Sequence, residues 1–269
     1  MAEELQYEET QRLVSLVDDA TALVEEKGEH AFKDFSTVGS CWRHFQTYIL
    51  VVGLDGTFIV HPDPNLVGKN QIDLKDVNGK PIVRWFIAEV SGEKRSGWSH
   101  YLWAKPNHIF PTWKTTYVKL AKAPSGKEYI IASGAYDIKM EKAFIVDVVN
   151  EAIDLIKKEG IAAFSALRDK TSEFINKDTY VFVIDNKGTL LVDPPFPSLE
   201  GQNMYNYTDA FGKYMFREFI QVANSKSSGW VDYMWPRPGD SKALKKSSFI
   251  KRVTVGDDVY IVGAGMYLE

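Results

Sequence analysis

The sequence predicts an α+β chain built as two similar domains in tandem. Each is an antiparallel sheet of about five strands with a long N-terminal helix and a helix that crosses back over the sheet. Three observations predict it: a long-period internal repeat, a helical apolar stripe at the start of each copy, and β-rich runs broken by turn signals after it. Residues 13–136 are written a second time in residues 145–267, 132 positions on for most of their length. Thr47-Tyr48 returns as Thr179-Tyr180, Gly97-Trp98 as Gly229-Trp230, Tyr101-Leu102-Trp103 as Tyr233-Met234-Trp235, and Gly134-Ala135-Tyr136 as Gly265-Met266-Tyr267. Solenoid repeats run to only about 20–50 residues, and each copy here is long enough to close a core of its own. The expected boundaries are 1–138 and 139–269.

Each copy opens with Leu13, Leu16, Val17, Ala20, Leu23 and Val24, or Ile145, Val148, Val149, Ala152, Leu155 and Ile156. That is the i, i+3, i+4, i+7 stripe of an amphipathic helix, with Gly28 and Gly160 as stops. A second short helix carries Ala31-Phe32 and Ala163-Phe164. Residues 137–144 hold neither Gly nor Pro, so the joint is expected to be a continuous helical lead-in. Tyr48–Val52 and Tyr180–Ile184 are apolar throughout, as interior strands are. Asp55-Gly56 and Asn186-Lys187-Gly188 turn them into hairpins with 58–60 and 190–192. Proline then ends the strand at His61-Pro-Asp-Pro64 and Asp193-Pro-Pro-Phe-Pro197. A crossover helix is expected around 80–90 and 213–223, followed by strands at 97–103, 113–119 and 128–136 and their counterparts near 229–235, 245–251 and 259–267. The helices are expected mostly on one side of the sheet.

Composition narrows the function classes. A net charge of −4 with no Lys/Arg stripe argues against nucleic acid. No apolar run approaches the length of a membrane span, and the start at Met-Ala-Glu-Glu-Leu has no leader pattern. A single cysteine, Cys41, excludes a disulfide within the chain and a cysteine-based zinc site. All five histidines fall in the first half, and no phosphate loop, His-Glu-x-x-His or nucleophile-elbow pattern occurs. The expectation is a non-enzymatic chain without cofactor or metal, in which Asp76-Val-Asn-Gly79 and Asp185-Asn-Lys-Gly188 are turns rather than calcium loops.

Several elements in fixed order, occurring twice, resemble the Cache superfamily of extracytoplasmic sensor domains. They are Tyr180-Val-Phe-Val-Ile-Asp with Gly188, Asp193-Pro-Pro, Leu199-Glu-Gly-Gln-Asn203, Gly229-Trp-Val-Asp-Tyr-Met-Trp-Pro236, Lys246-Ser-Ser-Phe249 and Gly263-Ala-Gly-Met-Tyr267. The first copy departs with His61-Pro for Asp193-Pro and Tyr101-Leu-Trp-Ala where the family usually has proline after the tryptophan. The resemblance implies a PAS-like sheet preceded by a long helix. It also implies a pocket for short carboxylates, amino acids or amides, as in chemoreceptor and sensor-kinase input domains. It implies a periplasmic or secreted setting, with a membrane receptor or kinase context outside this chain. A homodimer through the N-terminal helices would fit, and so would a rival reading, a tandem scaffold with vestigial pockets.

The sharpest candidates are Tyr101 with Lys114 and Tyr233 with Lys246, each pair thirteen residues apart. Adjacent antiparallel strands would set each pair side by side, a phenol and an ammonium offering donors to a carboxylate. The competing reading is a core tyrosine with a lysine that reaches solvent. Period-2 alternation puts Trp103 and Trp235 on the same face, as pocket caps or as core. His61 and Asp193 share one place at the strand end, either touching ligand or capping the next turn. The pair suggests a more electropositive first pocket that prefers carboxylates, and a second that tolerates a neutral or amine-bearing ligand. Arg84 and Arg217 lie on the crossover helix, as carboxylate clamps or solvated residues. Tyr117, with Phe249, Tyr136 and Tyr267, is a candidate wall that competes with core packing.

Overall fold

The computed structural model describes residues 4–44, 46–106 and 108–268; residues 1–3, where the leader pattern was sought, lie outside the described residues. Contacts divide the chain into a first compact unit, Leu5–Lys139, and a second that runs on from Met140.

In the first unit, α1 (Glu8–Lys27) buries Leu13, Val17, Ala20 and Val24 and stops at Gly28, whose φ of 61° suits glycine. α2 (Ala31–Ser36) follows, then the short pair β1 (Arg43–His44) and β2 (Thr47–Tyr48). The main sheet contains β3 (Leu50–Gly53), β4 (Phe58–Val60), β5 (Ser96–Ala104), β6 (Pro111–Lys122) and β7 (Glu128–Tyr136) in the order β4-β3-β7-β6-β5, antiparallel throughout. α3 (Ile82–Glu89) crosses between β4 and β5.

Helices cover both faces, not mainly one. Val17, Ala20 and Val24 of α1 cluster with Val51, Ala121 and Ile131. Ile82, Val83 and Phe86 of α3 cluster with Tyr48, Leu50, Val52, Val118 and Ile130. Val51 beside Val52, and Ile130 beside Ile131, make these strands apolar on both faces, so each face needs a cover.

The second unit repeats the plan with α4 (Lys142–Glu159), α5 (Ala163–Arg168), β8 (Ile175–Asn176), β9 (Thr179–Asp185), β10 (Leu190–Val192), α6 (Met215–Lys226), β11 (Ser228–Pro236), β12 (Ala243–Val255) and β13 (Asp258–Tyr267). Its sheet order is β10-β9-β13-β12-β11. The expected helical lead-in over 137–144 is not seen. Asp137 takes a left-handed φ of 55° and donates its N–H to the Trp113 carbonyl at 2.9 Å, and the helix begins only at Lys142.

One polar device fixes the edge strands β5 and β11. Asp76 Oδ1 accepts the N–H groups of Asn78 (2.8 Å) and Lys80 (2.9 Å), and Oδ2 accepts that of Leu102 on β5 (2.9 Å). Asp209 does the same for Phe211, Lys213 and Met234 of β11. Asp76-Val-Asn-Gly79 is thus a turn whose carboxylate also satisfies an edge donor, and it pins the strand that carries Trp103. Asp76→Ala is expected to destabilise the first unit by about 1–3 kcal/mol through buried donors left unpaired, read by urea denaturation against the wild-type chain.

Candidate functional site

The register sets Tyr101 opposite Lys114 and Lys114 opposite Tyr136, all on the face that packs against α3. The same holds for Tyr233, Lys246 and Tyr267. Their hydroxyl and ammonium groups are not partners, however. Tyr101 Oη bonds Thr116 Oγ1 at 2.8 Å, and Tyr233 Oη bonds Ser248 Oγ at 2.9 Å. A tyrosine is long enough to reach past its direct partner to the diagonal residue two positions on, so the expected phenol–ammonium donor pair does not form.

Lys114 instead finds Tyr48. Its Nζ donates to Tyr48 Oη at 2.6 Å, 4.3 Å from that ring's centre and 5.2 Å from the Tyr136 ring. The Tyr48 hydroxyl interacts in turn with that of Tyr136, which donates to the Ala104 carbonyl at 3.0 Å. Only 1% of Lys114 is exposed, and burial pulls its ammonium down to about 7. Burial also pushes the Tyr48 phenol well above its ordinary value, with Tyr136 adding to the rise. Gly134 makes room for the lysine stem: a Cβ there would collide with Lys114 Cε and Thr116 Oγ1. Gly265 plays the same part beside Lys246 and Ser248.

Tyr48 is one wall of a cavity of about 520 Å³, lined also by Arg43, His61, Asp63, Trp103 and Lys105. His61 closes β4: its Nδ1 accepts the Asp63 N–H at 2.9 Å, which puts the neutral ring's proton on Nε2. Its ring stands edge-on to Tyr48, Phe58 and Trp103 at 5.7, 5.4 and 6.5 Å. Burial, then the Lys114 charge, lowers His61 to about 4. His61 therefore caps the turn after β4 and also lines the cavity. Asp63 turns its carboxylate onto Asn65, and Lys105 pairs with Asp137 at 3.4 Å. With Arg43, Lys105 and the Lys114 charge behind Tyr48, the surroundings of the cavity carry more cations than anions.

The second unit keeps the aromatic and basic residues but closes the space. Tyr180, Asp193, Phe216, Tyr233 and Trp235 surround a void of about 10 Å³, the size of one water molecule. Phe196, Tyr207 and Phe216 pack on Trp235 at 5.7, 5.8 and 6.3 Å. Lys246 is fully buried, 3.9 Å from the Tyr180 ring centre and 5.1 Å from that of Tyr267. Burial lowers its ammonium and raises the Asp193 carboxyl, and their mutual attraction opposes both shifts. Among the described residues, neither Lys246 Nζ nor Asp193 Oδ1 has a hydrogen-bond partner.

Three expected residues stand elsewhere. Arg84 is exposed and pairs with Asp73 at 2.5 Å, because α3 turns Ile82, Val83 and Phe86 inward and this position outward. Arg217 stacks on Tyr214 at 3.9 Å and bonds Asn206 and the Tyr205 carbonyl. Tyr117 lies on the opposite face of β6, against Trp98 at 4.8 Å and the α1 cluster. The residues missed were Tyr48 and Tyr180, although the repeat itself marks them in Thr47-Tyr48 and Thr179-Tyr180. Arg43 carried no signal, since the second copy has Ile175 at the matching place, whereas the repeat marks Lys105 with Arg237.

A family model described as Cache domain matches residues 40–162 and again 157–269. The chain belongs to the Cache domain family. Among relatives, the methyl-accepting chemotaxis protein McpP of Pseudomonas putida is 29% identical over 92 residues, 34% of this chain and 16% of McpP. The sensor histidine kinase MctS of Rhizobium johnstonii is 27% identical over 168 residues, 58% of this chain and 35% of MctS. This Cache chain thus matches only a minor part of either relative's length. A solved periplasmic sensor domain of a chemotaxis protein aligns over 46% of this chain and 88% of its own at 29% identity, with a TM-score of 0.38. The ligand-binding domain of the Pseudomonas aeruginosa PAO1 amino acid chemoreceptor PctB, solved with L-Arg, aligns over 96% of this chain and 86% of its own at 11% identity, with a TM-score of 0.36. Among the described residues, no helix is long and apolar enough to cross a membrane, and no group of three or more His, Cys, Asp or Glu is placed to hold a metal.

Tyr48→Phe is expected to cost the first unit about 1–3 kcal/mol by stripping a buried charged donor of its acceptor. The loss should be largest below pH 7, where Lys114 is charged, and should shrink as pH rises past its pKa of about 7. Denaturant titrations at pH 6 and pH 9 read it.

Proposed function

We propose that this chain is an extracytoplasmic ligand-sensing module whose first unit takes a short carboxylate. It would serve as the input part of a chemoreceptor or sensor kinase. The observation that carries the reading is Lys114, a fully buried ammonium without a carboxylate partner among the described residues, held by Tyr48 at the wall of a cavity of about 520 Å³. That volume falls within the range of small-molecule sites. A ligand carboxylate there would meet Tyr48, the His61 Nε2–H, Arg43 and Lys105, while Trp103 covers its apolar part. The bound anion would supply the counter-charge that Lys114 lacks. The relatives named for chemotaxis and for a sensor kinase support a signalling setting.

The scaffold reading gains one specific observation, the almost closed void of the second unit. It applies there and not to the first unit. A division of labour follows, with one unit binding and the other structural.

A thermal-shift screen of acetate, propionate, butyrate and hydroxy or keto analogues tests the reading. A ligand at 100 times its Kd is expected to add about 2.7 kcal/mol; no response to any of them ends the carboxylate assignment. The pH dependence has a fixed sign. Lys114 protonates at about 7 and His61 at about 4, so between pH 6 and pH 8 Lys114 loses its charge while His61 stays neutral throughout. Affinity for propionate is therefore expected to fall about tenfold from pH 6 to pH 8, by calorimetry. Lys114→Met should abolish binding and leave stability unchanged or higher, because an apolar side chain of similar length replaces a desolvated cation.

A further inference from the structure

The two units differ at one position in a way that decides what their buried lysines can bind. His61 and Asp193 both follow the strand that pairs with the Tyr48 or Tyr180 segment, and both line the space beside their tyrosine. In the first unit that position holds a neutral imidazole, and among the described residues no carboxylate acts on Lys114. In the second it holds a carboxylate that is itself buried, 4% exposed, and attracts Lys246. Asp178, paired with Arg237 at 3.4 Å, adds a weaker attraction.

We propose that Asp193 is a built-in counter-ion that stands in for the ligand carboxylate, so that the position shared by His61 and Asp193 decides which unit accepts an anion. The proposal rests on the carboxylate reading of the first unit and explains why the same lysine–tyrosine frame is open there and shut in the second. An anion entering beside Lys246 would meet a like charge on Asp193, and a void of about 10 Å³ leaves no room for it. Phe196 reinforces the closure. The first copy has Pro64 at the matching place, and the Phe196 ring fills against Trp235 the space that lies open beside Trp103. Attraction between Asp193 and Lys246 offsets part of the cost of burying both, so the second unit has less need of a ligand to neutralise its lysine.

Two measurements on the full chain test this, with His61→Asp, His61→Asn and Asp193→Asn. The first follows the lysine side-chain carbons by NMR during a pH titration. His61→Asp is expected to raise the Lys114 midpoint by at least one pH unit, and Asp193→Asn to lower that of Lys246; unmoved midpoints overturn the counter-ion assignment. The second is propionate calorimetry. His61→Asp is expected to weaken binding at least tenfold more than His61→Asn does, and equal losses overturn the proposal that charge at this position controls anion entry. Midpoints that move as expected in a chain whose wild type ignores propionate would sustain the counter-ion and discard the carboxylate reading of the first unit.

Discussion

A lysine ammonium buried on one face of each sheet, on the strand next to the edge, is the constraint around which the surrounding side chains are arranged. Taking such a group out of water costs several kcal/mol even after relaxation, and each unit meets that cost with the same tyrosines. Tyr48 and Tyr136 hold Lys114 between an acceptor oxygen and two ring faces, and Tyr180 and Tyr267 place their rings over Lys246. Gly134 and Gly265 leave the gap through which the lysine stem passes. Thr116 and Ser248 engage the neighbouring tyrosine hydroxyls, which would otherwise be buried without partners. Such an arrangement makes sense where the charge does work that an apolar residue cannot.

The two units use that charge differently. In the first, no anion among the described residues meets it, and an open space lies beside the tyrosine that binds it. In the second, Asp193 attracts it and aromatic rings close the space. Duplication thus preserved the expensive part of the site, the buried cation with its tyrosines. The cheaper parts, the strand-end residue and the loop after it, are where the copies diverged. Loop residues such as the exposed Pro64 and the half-buried Phe196 lie outside the strands and change with little effect on the sheet, so they are the natural place for a binding unit and a closed unit to separate.

Much of the architecture was legible before any coordinates, because it rests on local and periodic signals. The helical stripe placed α1 and α4, their glycine stops fell where expected, and turn residues bounded the hairpins. The Tyr101–Lys114 and Tyr233–Lys246 spacing gave the strand register. What failed depended on direction rather than on period. Arg84 lies on the expected helix but on its solvent side, Tyr117 on the expected strand but on its other face, and the joint at 137–141 is held out of helix by a left-handed Asp137. Helices on both faces followed from strands apolar on both faces, a pattern already visible in Tyr48–Val52 and Tyr180–Ile184.

Taken alone, the sequence determined that there are two units, what order of elements each contains, and which lysine faces which tyrosine across two strands. These properties follow from repetition, side-chain periodicity and turn chemistry, all of which act over short stretches of chain. Only the tertiary structure decided that Lys114 bonds Tyr48, 66 residues away, that a cavity opens in the first unit, and that Phe196 and Asp193 shut the second. Those outcomes depend on how residues distant in sequence fill a common volume and share a buried charge. Neither volume nor dielectric environment is a property of any one segment.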